Sequence, residues 1–578
     1  MAGPTAPKDP EKARPFFYIL KDKDIFGERQ KDGTGIQFIY ESDGRLINSA
    51  QITGNVTDKE ELRLLETVEG FGRLVHSIGV SVETDRPEET AEFVFQMYGK
   101  KDLYGGGTNL TTSLKCDGME HRIYLSDYRW TEDDHVPGQI KILFAAPERM
   151  GKVSVRLFLN DGYEAPPEEE DLFIDMHSEE YCGMISRSLL QLGNPYRIRK
   201  AIEKSKAGKE VTLAYIGGSI TQGAGAIPIH TECYAYKSFQ LFQNRFSTQN
   251  NVRFIKAGVG GTPSELGMIR FDRDVLREGE RPDIVVIEFA VNDEGDETKG
   301  VCYESLVRKV LKLPWKPAVV LLFSVFANDW NLQERLRPVG DLYDLPMVSI
   351  RDAVTQQFSL KCGEGRILSK NQFFYDIFHP NNTGHTIMAD CLQYLFERCD
   401  AAEPARIGTF VEGMTEEQIL SEKLSGPAVI GADFERIFLL DKKNRYVGAK
   451  IRAGGFTSTD IELQSVEMDG NLTQTPEFPY NWMYDGSRPQ MPGFEMEITC
   501  KSLFLIFKDS GEMDVGKADV FVNDVYCMTA DPHKNNWLHC NAVLLFWETE
   551  SRSHKVRIAV TEEDRNKKFT ILGFGYTI

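Results

Sequence analysis

The chain has 578 residues, of which 41% are hydrophobic and 27% charged. That is the composition of a globular protein, and it argues against a chain that is largely disordered. Its formal net charge of −20 argues against nucleic acid or an acidic membrane surface as partner, since both are bound by excess Lys and Arg.

The length predicts roughly three or four domains, because single hydrophobic cores stop growing well below this size. No apolar run approaches the 18 or so residues that span a bilayer. Residues 1–15 lack the apolar stretch of a signal peptide and predict a disordered leader, so we expect a cytoplasmic protein; a mature secreted form is the alternative. The ten cysteines include no CxxC pair, which favours reduced thiols over disulfides or a zinc site.

Residues 16–185 predict an N-terminal β-sandwich. Short alternating apolar runs, such as 93–98 and 139–144, are separated by segments rich in turn-forming residues. Several short strands with turns between them are typical of a sandwich. The acidic, proline-containing segment 164–171 predicts a linker near the end of this region.

Residues 186–402 have a different pattern, which predicts an α/β domain. Strongly apolar runs, which predict strands, alternate with helix-compatible segments, and they lie at 211–216, 252–256, 284–291, 319–325 and 346–350. This alternation indicates a parallel sheet covered by helices on both faces. Residues 403–578 return to short strands, for example 542–546 and 554–560, and predict a second, C-terminal β-sandwich.

The first candidate for chemistry is Ser219. It follows an apolar strand and two glycines, so it lies where ligands gather in parallel α/β sheets, at the carboxyl end of a strand. The glycines allow the backbone to turn and a substrate to approach. Alone, the pattern fits a phosphate-binding loop or a plain strand–helix turn as well as a nucleophile.

Two further loops follow the next strands. Residues 258–261 contain three glycines, and their exposed N–H groups could stabilise an oxyanion; the alternative is a tight turn. Asn292 ends the most hydrophobic run, and its side-chain N–H₂ group could supply another donor; the alternative is a helix cap.

The fourth candidate is the pair Asp376 and His379. A neutral histidine can take a proton from serine, and a carboxylate three residues earlier can orient it. Pro380 disfavours helix at His379, so we expect this pair in a loop, with His385 in the helix that follows. The segment offers too few ligands for a metal, so none is predicted.

The order of these motifs resembles that of the SGNH (GDSL-like) hydrolases. The serine turn is GGSIT around Ser219, the block II glycine is Gly261 in GVGGT, block III is AVND with Asn292, and block V is DIFH from Asp376 to His379. The resemblance spans roughly residues 190–400. There are two departures: Gly218 replaces the usual Asp, and Ala290 replaces the usual Gly of block III.

The resemblance implies a flavodoxin-like, three-layer α/β/α hydrolase domain between the two β-sandwiches. It implies Ser219 as nucleophile, Asp376 and His379 as its partners, and an oxyanion site formed by Ser219, Gly261 and Asn292. It implies no metal and no organic cofactor.

Flanking β domains and the block III run EFAVND resemble those of carbohydrate esterases. The implied reaction is removal of O-acetyl groups from xylan- or mannan-type saccharides, so the expected partner is an acetylated oligosaccharide. Trp330 is the candidate for packing on a sugar, with a partly buried aromatic as the alternative. For Trp482 and Trp537 we expect a core or interface position. A homodimer is a further expectation, since two-fold dimers are the commonest oligomers.

Two other functions stay open. The first is an SGNH lipase or thioesterase that acts on non-carbohydrate esters. The second is a non-catalytic carbohydrate-binding protein, against which stands the presence of all five expected catalytic and oxyanion positions.

Overall fold

The computed structural model describes residues 13–40, 45–101, 105–168, 170–402, 414–469 and 474–578. Residues 1–12 of the predicted leader lie outside these ranges. Among the described helices, none is both long enough and apolar enough to cross a bilayer.

The N-terminal region consists of two antiparallel sheets. Its strands are β1 (Phe16–Phe26), β2 (Glu28–Arg29), β3 (Gly35–Tyr40), β4 (Val75–Thr84), β5 (Thr90–Gly99), β6 (Asn109–Lys115), β7 (His121–Tyr124), β8 (Asp134–Phe144) and β9 (Met150–Leu159), and its helices are α1 (Arg45–Ile52), α2 (Lys59–Leu64) and α3 (Val68–Leu74). One sheet has the order β1-β9-β4-β7 and the other β2-β3-β8-β5-β6. Both contribute to one hydrophobic cluster, for example through Val80 and Phe93.

The central region is built on a mostly parallel sheet. Its strands are β10 (Leu189–Gln191), β11 (Val211–Gly217), β12 (Val252–Gly258), β13 (Ile284–Glu288), β14 (Ala318–Phe323) and β15 (Met347–Ser349). Its helices are α4 (Glu179–Ser186), α5 (Tyr196–Lys206), α6 (Ser219–Gln222), α7 (Ile229–Glu232), α8 (Tyr234–Phe246), α9 (Ser264–Phe271), α10 (Val301–Leu311), α11 (Gln333–Tyr343), α12 (Ile350–Phe358), α13 (Lys370–Phe373) and α14 (Asn382–Ala401). The order β10-β15-β14-β13-β11-β12 is flavodoxin-like, with β10 added antiparallel at one edge.

Alternation along β11 shows why this sheet is covered on both faces. Leu213 and Tyr215 point into a cluster formed with helices such as α8 and α14, whereas Ala214 and Ile216 point into a cluster formed with α9 and α10. Successive side chains of a strand point to opposite faces, so a strand that is apolar throughout requires helices on both sides. The predicted three-layer arrangement of this domain is therefore present. Helix α4, which precedes the predicted boundary at residue 186, packs in the first of these clusters through Tyr181 and Met184.

The C-terminal region begins with α15 (Glu416–Ser425) and continues as antiparallel β structure. Its strands are β16 (Phe438–Leu440), β17 (Ala449–Arg452), β18 (Ser465–Glu467), β19 (Gln474–Pro476), β20 (Trp482–Tyr484), β21 (Phe494–Asp509), β22 (Ala518–Val522), β23 (Val525–Ala530), β24 (His539–Val560) and β25 (Phe569–Thr577). Apart from the pair β18–β19, these strands form one continuous hydrogen-bonded sheet. The second sandwich stays a prediction.

The C-terminal sheet packs on the central domain. Phe504 and Ile506 of β21 share a hydrophobic cluster with Ile269 of α9, while their neighbours Leu503 and Leu505 face the cluster inside the C-terminal region. One face of β21 therefore packs against the central domain, and the other faces the core of the C-terminal region.

Candidate active site

The loops of the site leave two neighbouring parallel strands. β11 ends at Gly217, two residues before Ser219, and β12 ends at Gly258, before the loop with Gly261. The side chain of Arg270 is fully buried and donates hydrogen bonds to the carbonyl oxygens of Gly217 (2.8 Å) and Ala257 (2.7 Å). One guanidinium therefore fixes both strand ends relative to each other.

Ser219, His379 and Asp376 form a chain of hydrogen bonds. The distance from Ser219 Oγ to His379 Nε2 is 2.9 Å, and His379 Nδ1 lies 2.9 Å from Asp376 Oδ2 and 3.0 Å from Oδ1. With a carboxylate at Nδ1, that nitrogen carries the proton and Nε2 accepts from the serine hydroxyl. This is the geometry of nucleophile, base and orienting acid.

The loop that carries Asp376 and His379 is tightly bonded. The N–H groups of Phe378 and His379 donate to Asp376 Oδ1 at 2.8 and 2.9 Å. Burial alone would raise the pKa of Asp376, but its interactions with His379, Arg45 and the Phe378 N–H lower that pKa to about 2. Asp376 is therefore ionised at neutral pH. Helix α14 begins only at Asn382, as predicted for a histidine that precedes proline.

Unoccupied N–H groups lie beside Ser219. A Cβ placed on Gly260 would lie 3.8 Å from Ser219 Cβ, so the glycine loop lies next to the serine. Within the described residues, the backbone N–H groups of Ser219 and Gly261 and the side-chain nitrogen of Asn292 have no hydrogen-bond partner. Three donors are thus available at one place.

Gly218 explains one departure from the family pattern. A Cβ at this position would lie 2.3 Å from Asn292 Oδ1, far inside van der Waals contact. Any side chain at 218, including the usual Asp, would displace the Asn292 carboxamide from its present position. Glycine here lets Asn292 pack directly against the turn that carries Ser219.

Glu288 is a buried carboxylate beneath the same turn. It ends β13, is fully buried, and its Oε2 accepts a hydrogen bond from Thr221 Oγ1 at 3.1 Å. Burial raises its pKa to about 7, although the nearby hydroxyls of Ser324 and Thr221 and the Gly218 N–H act to lower it. At this position the only signal in the sequence is a charged residue inside an apolar run.

His385 lies in α14 and is not part of the hydrogen-bonded chain of Ser219, His379 and Asp376. It is fully buried, with Nδ1 accepting from the Tyr234 N–H and Nε2 lying 3.1 Å from the carbonyl oxygen of Ala224. Burial lowers its pKa to about 3. No cluster of metal-ligating side chains is found among the described residues.

Aromatic side chains lie on two sides of the site. Trp330 stacks on Phe326 (5.7 Å between ring centroids), and Phe326 contacts Phe378, the neighbour of His379. The rings of Phe326 and Phe378 therefore lie between Trp330 and His379.

On the other side, Trp537 of the C-terminal region approaches Gly261. A Cβ on Gly261 would lie 2.6 Å from Trp537 Cζ2, and the φ of this glycine is +70°, a region that disfavours other residues. The indole stacks on His539 and remains 45% exposed. Trp482, by contrast, is buried in the C-terminal core. Nothing in the sequence indicated that Trp537 would reach the glycine loop.

Comparisons with known proteins agree with this geometry. Residues 215–387 match the model of the GDSL-like lipase/acylhydrolase family. The search of curated proteins returned no match. Among solved structures, the chain is similar to a two-domain esterase (CEX) active on acetylated mannans, in two crystal structures. In the one co-crystallized with mannopentaose the TM-score is 0.55 at 23% identity, covering 68% of this chain and 97% of that one. In the other the TM-score is 0.54 at 23% identity, covering 68% of this chain and 98% of that one.

At this identity the structural likeness concerns the fold. The family match covers the serine turn, the glycine loop, Asn292 and the Asp376–His379 loop. Over residues 215–387, the central domain is therefore similar to the GDSL-like lipase/acylhydrolase family, the SGNH hydrolases.

Proposed function

We propose that the protein is a three-domain serine esterase, with domains at 16–185, 186–402 and 403–578, that removes O-acetyl groups from xylan- or mannan-type polysaccharides or oligosaccharides. The observation that carries this proposal is the hydrogen-bonded chain Ser219–His379–Asp376 beside three unoccupied N–H donors. Acyl transfer needs both a proton acceptor for the nucleophile and donors for the developing oxyanion.

In the first half-reaction, His379 Nε2 takes the proton of Ser219 as Oγ attacks the acetyl carbonyl carbon. The carbonyl electron pair moves onto oxygen, which accepts hydrogen bonds from the N–H groups of Ser219 and Gly261 and from the Asn292 side chain. When the intermediate collapses, the bond to the sugar oxygen breaks and His379 protonates that oxygen.

In the second half-reaction, water attacks the acetyl group on Ser219 while His379 takes a proton from the water. Collapse of this intermediate breaks the bond between acyl carbon and Oγ, and His379 returns the proton to the serine. The product leaves as acetic acid, which loses its remaining proton to the solvent, and the ionised Asp376 stabilises the imidazolium in both steps.

Three features support a carbohydrate substrate. The half-exposed indole of Trp537 lies against the glycine loop, and aromatic faces pack well on sugar rings. Phe378, 40% exposed, offers a second aromatic surface beside His379. The similar CEX esterase is described as active on acetylated mannans.

The test is acetate release from acetylated xylan and mannan oligosaccharides by the wild type and by Ser219→Ala. Release by the wild type alone is the expected result. If the wild type cleaves nitrophenyl acetate through Ser219 but no glycan, the carbohydrate part of the proposal is wrong. A chain-length series of nitrophenyl esters then identifies a lipase or thioesterase, since a deacetylase loses activity steeply beyond acetate.

A further inference from the structure

Gln464 of the C-terminal region contacts the glycine loop of the central domain. Its Nε2 donates a hydrogen bond to the carbonyl oxygen of Gly260 at 2.9 Å, and its Oε1 accepts one from the Cys540 N–H at 3.0 Å. The side chain is 8% exposed. Both ends of this carboxamide are therefore engaged, which fixes its orientation.

The carbonyl that Gln464 binds belongs to the peptide group that carries the Gly261 N–H. This peptide is trans, so its C=O and N–H point in opposite directions in one plane. Anchoring the Gly260 oxygen therefore sets the direction of the Gly261 N–H. With φ of +70° at Gly261, this segment has a backbone freedom that other residues lack, and the anchor restricts it.

The preceding peptide group, between Val259 and Gly260, is held by the central domain itself. The Gly260 N–H donates to Gln222 Oε1 at 2.8 Å, and the Gln222 carbonyl accepts from the buried ammonium of Lys256 at 2.9 Å. Among the described residues, the loop thus has bonded N–H and C=O groups at Gly260 and an unbonded N–H at Gly261.

Gln464 begins a segment, residues 464–469, that lies beside the carboxyl-terminal end of β12 in space. Val466 and Met468 form a small buried cluster with Val259, next to the glycine loop. Asp469 Oδ1 accepts from the Lys256 N–H at 2.7 Å. These contacts bring Gln464 to the loop and fix it there.

We propose that Gln464 is a positioning residue, which aims the Gly261 N–H at the oxyanion, so that the C-terminal region takes part in the chemistry as well as in substrate binding. This inference rests on the proposed function, in which Gly261 supplies an oxyanion donor.

The test uses Gln464→Glu and Gln464→Met, with Gln474→Glu as control. Glutamate keeps the acceptor for Cys540 but places a carboxylate oxygen against the Gly260 carbonyl, whereas methionine keeps the length and removes both bonds. Gln474 is exposed on β19, next to β18 in the same small sheet. Turnover of nitrophenyl acetate is measured per active site, titrated with a fluorophosphonate, which corrects for unfolded protein.

We expect kcat to fall by about 10- to 100-fold in Gln464→Glu and less in Gln464→Met, with KM nearly unchanged, because a misdirected donor is partly lost. Affinity for phenylboronic acid, which forms a tetrahedral adduct with the serine, should fall in parallel. Gln474→Glu should match the wild type. If the wild type cleaves the ester through Ser219 and both Gln464 variants retain its kcat and its boronate affinity, this inference is wrong. If the wild type cleaves no ester through Ser219, the proposed function itself is wrong.

Discussion

Lys23, in the first strand of the N-terminal region, donates a hydrogen bond to the carbonyl oxygen of Phe374, two residues before Asp376. Its ammonium also lies 3.4 Å from the carbonyl oxygen of Asn371, and the side chain is 2% exposed. A buried charge that satisfies two loop carbonyls fixes that loop, because water cannot replace it. The N-terminal region thus supports the segment that presents Asp376 and His379.

Lys23→Met should lower kcat between about 10- and 100-fold, since small displacements of catalytic groups have effects of that size. It should also lower the free energy of unfolding by about 2 kcal/mol, the range of hydrogen bonds to charged groups. Esterase assays and thermal unfolding measure the two effects. Lys31→Met, at an exposed turn, is the control. An unchanged kcat in Lys23→Met would mean that the loop keeps its position without this contact.

Asn292→Ala should lower kcat by about 10²–10³-fold, the usual effect of removing one oxyanion donor. The fold should persist, because the Asn292 side chain makes no hydrogen bond within the described residues. Steady-state kinetics and circular dichroism check both statements. Activity near that of the wild type would exclude Asn292 from the oxyanion site.

Asp376→Asn should lower kcat by about 10⁴-fold, because an amide favours the wrong tautomer of His379. In the wild type, the pKa of Asp376 is lowered to about 2, so this carboxyl contributes stability above the pKa of the unfolded chain that is lost as the pH falls toward 2. Between pH 4 and 8 the pH profile of kcat/KM should show no inflection from Asp376. An inflection near pH 4 that disappears in Asp376→Asn would contradict the lowered pKa.

Glu288→Gln should change how stability depends on pH. Burial raises the pKa of Glu288 to about 7, so the folded state binds an extra proton between the unfolded pKa, 4.5, and about 7. Stability of the wild type therefore falls as the pH rises through this window. The glutamine variant lacks this loss, and its melting temperature relative to the wild type should rise from pH 5 to pH 8. A difference that is constant with pH would show that Glu288 titrates normally.

Trp537→Ala should have different effects on the hydrolysis of acetylated oligosaccharides and of nitrophenyl acetate. With a sugar ring packed on the indole, KM for an acetylated oligosaccharide should rise about tenfold, while kinetics with nitrophenyl acetate stay near those of the wild type. Trp547→Ala, at a half-exposed position in the middle of β24, is the control. Equal effects on both substrates would instead assign Trp537 to positioning the glycine loop.

The fold of the central domain and the positions of Ser219, His379 and Asp376 could be predicted from sequence, because both depend on local patterns. Apolar strands that alternate with helices determine the layers, and the motifs follow strand ends that the fold brings to one edge. Pro380 alone indicated that His379 lies outside a helix. The geometry of Ser219, His379 and Asp376 agrees with that expectation, while their catalytic roles stay predictions.

The contributions of the outer regions could not be predicted, because they depend on contacts between residues far apart in the chain. Lys23 reaches a loop 351 residues away, and Gln464 one that is 204 residues away. Neither has a local signature. One prediction about strand length is wrong. The runs 542–546 and 554–560 predict separate strands, whereas both belong to β24. This long strand pairs with β21 and has two register shifts along the pairing.

The position of β12 at the edge of the central sheet limits how far the protein can be shortened. It is the last strand on its side of the central sheet, and residues 464–469 cover its end. A fragment shortened to residues 186–402 would expose that strand edge and the apolar surface around Val259 to solvent. Open strand edges pair with other chains, so such a fragment should self-associate and precipitate. Attempts to obtain a minimal hydrolase should therefore keep the C-terminal region.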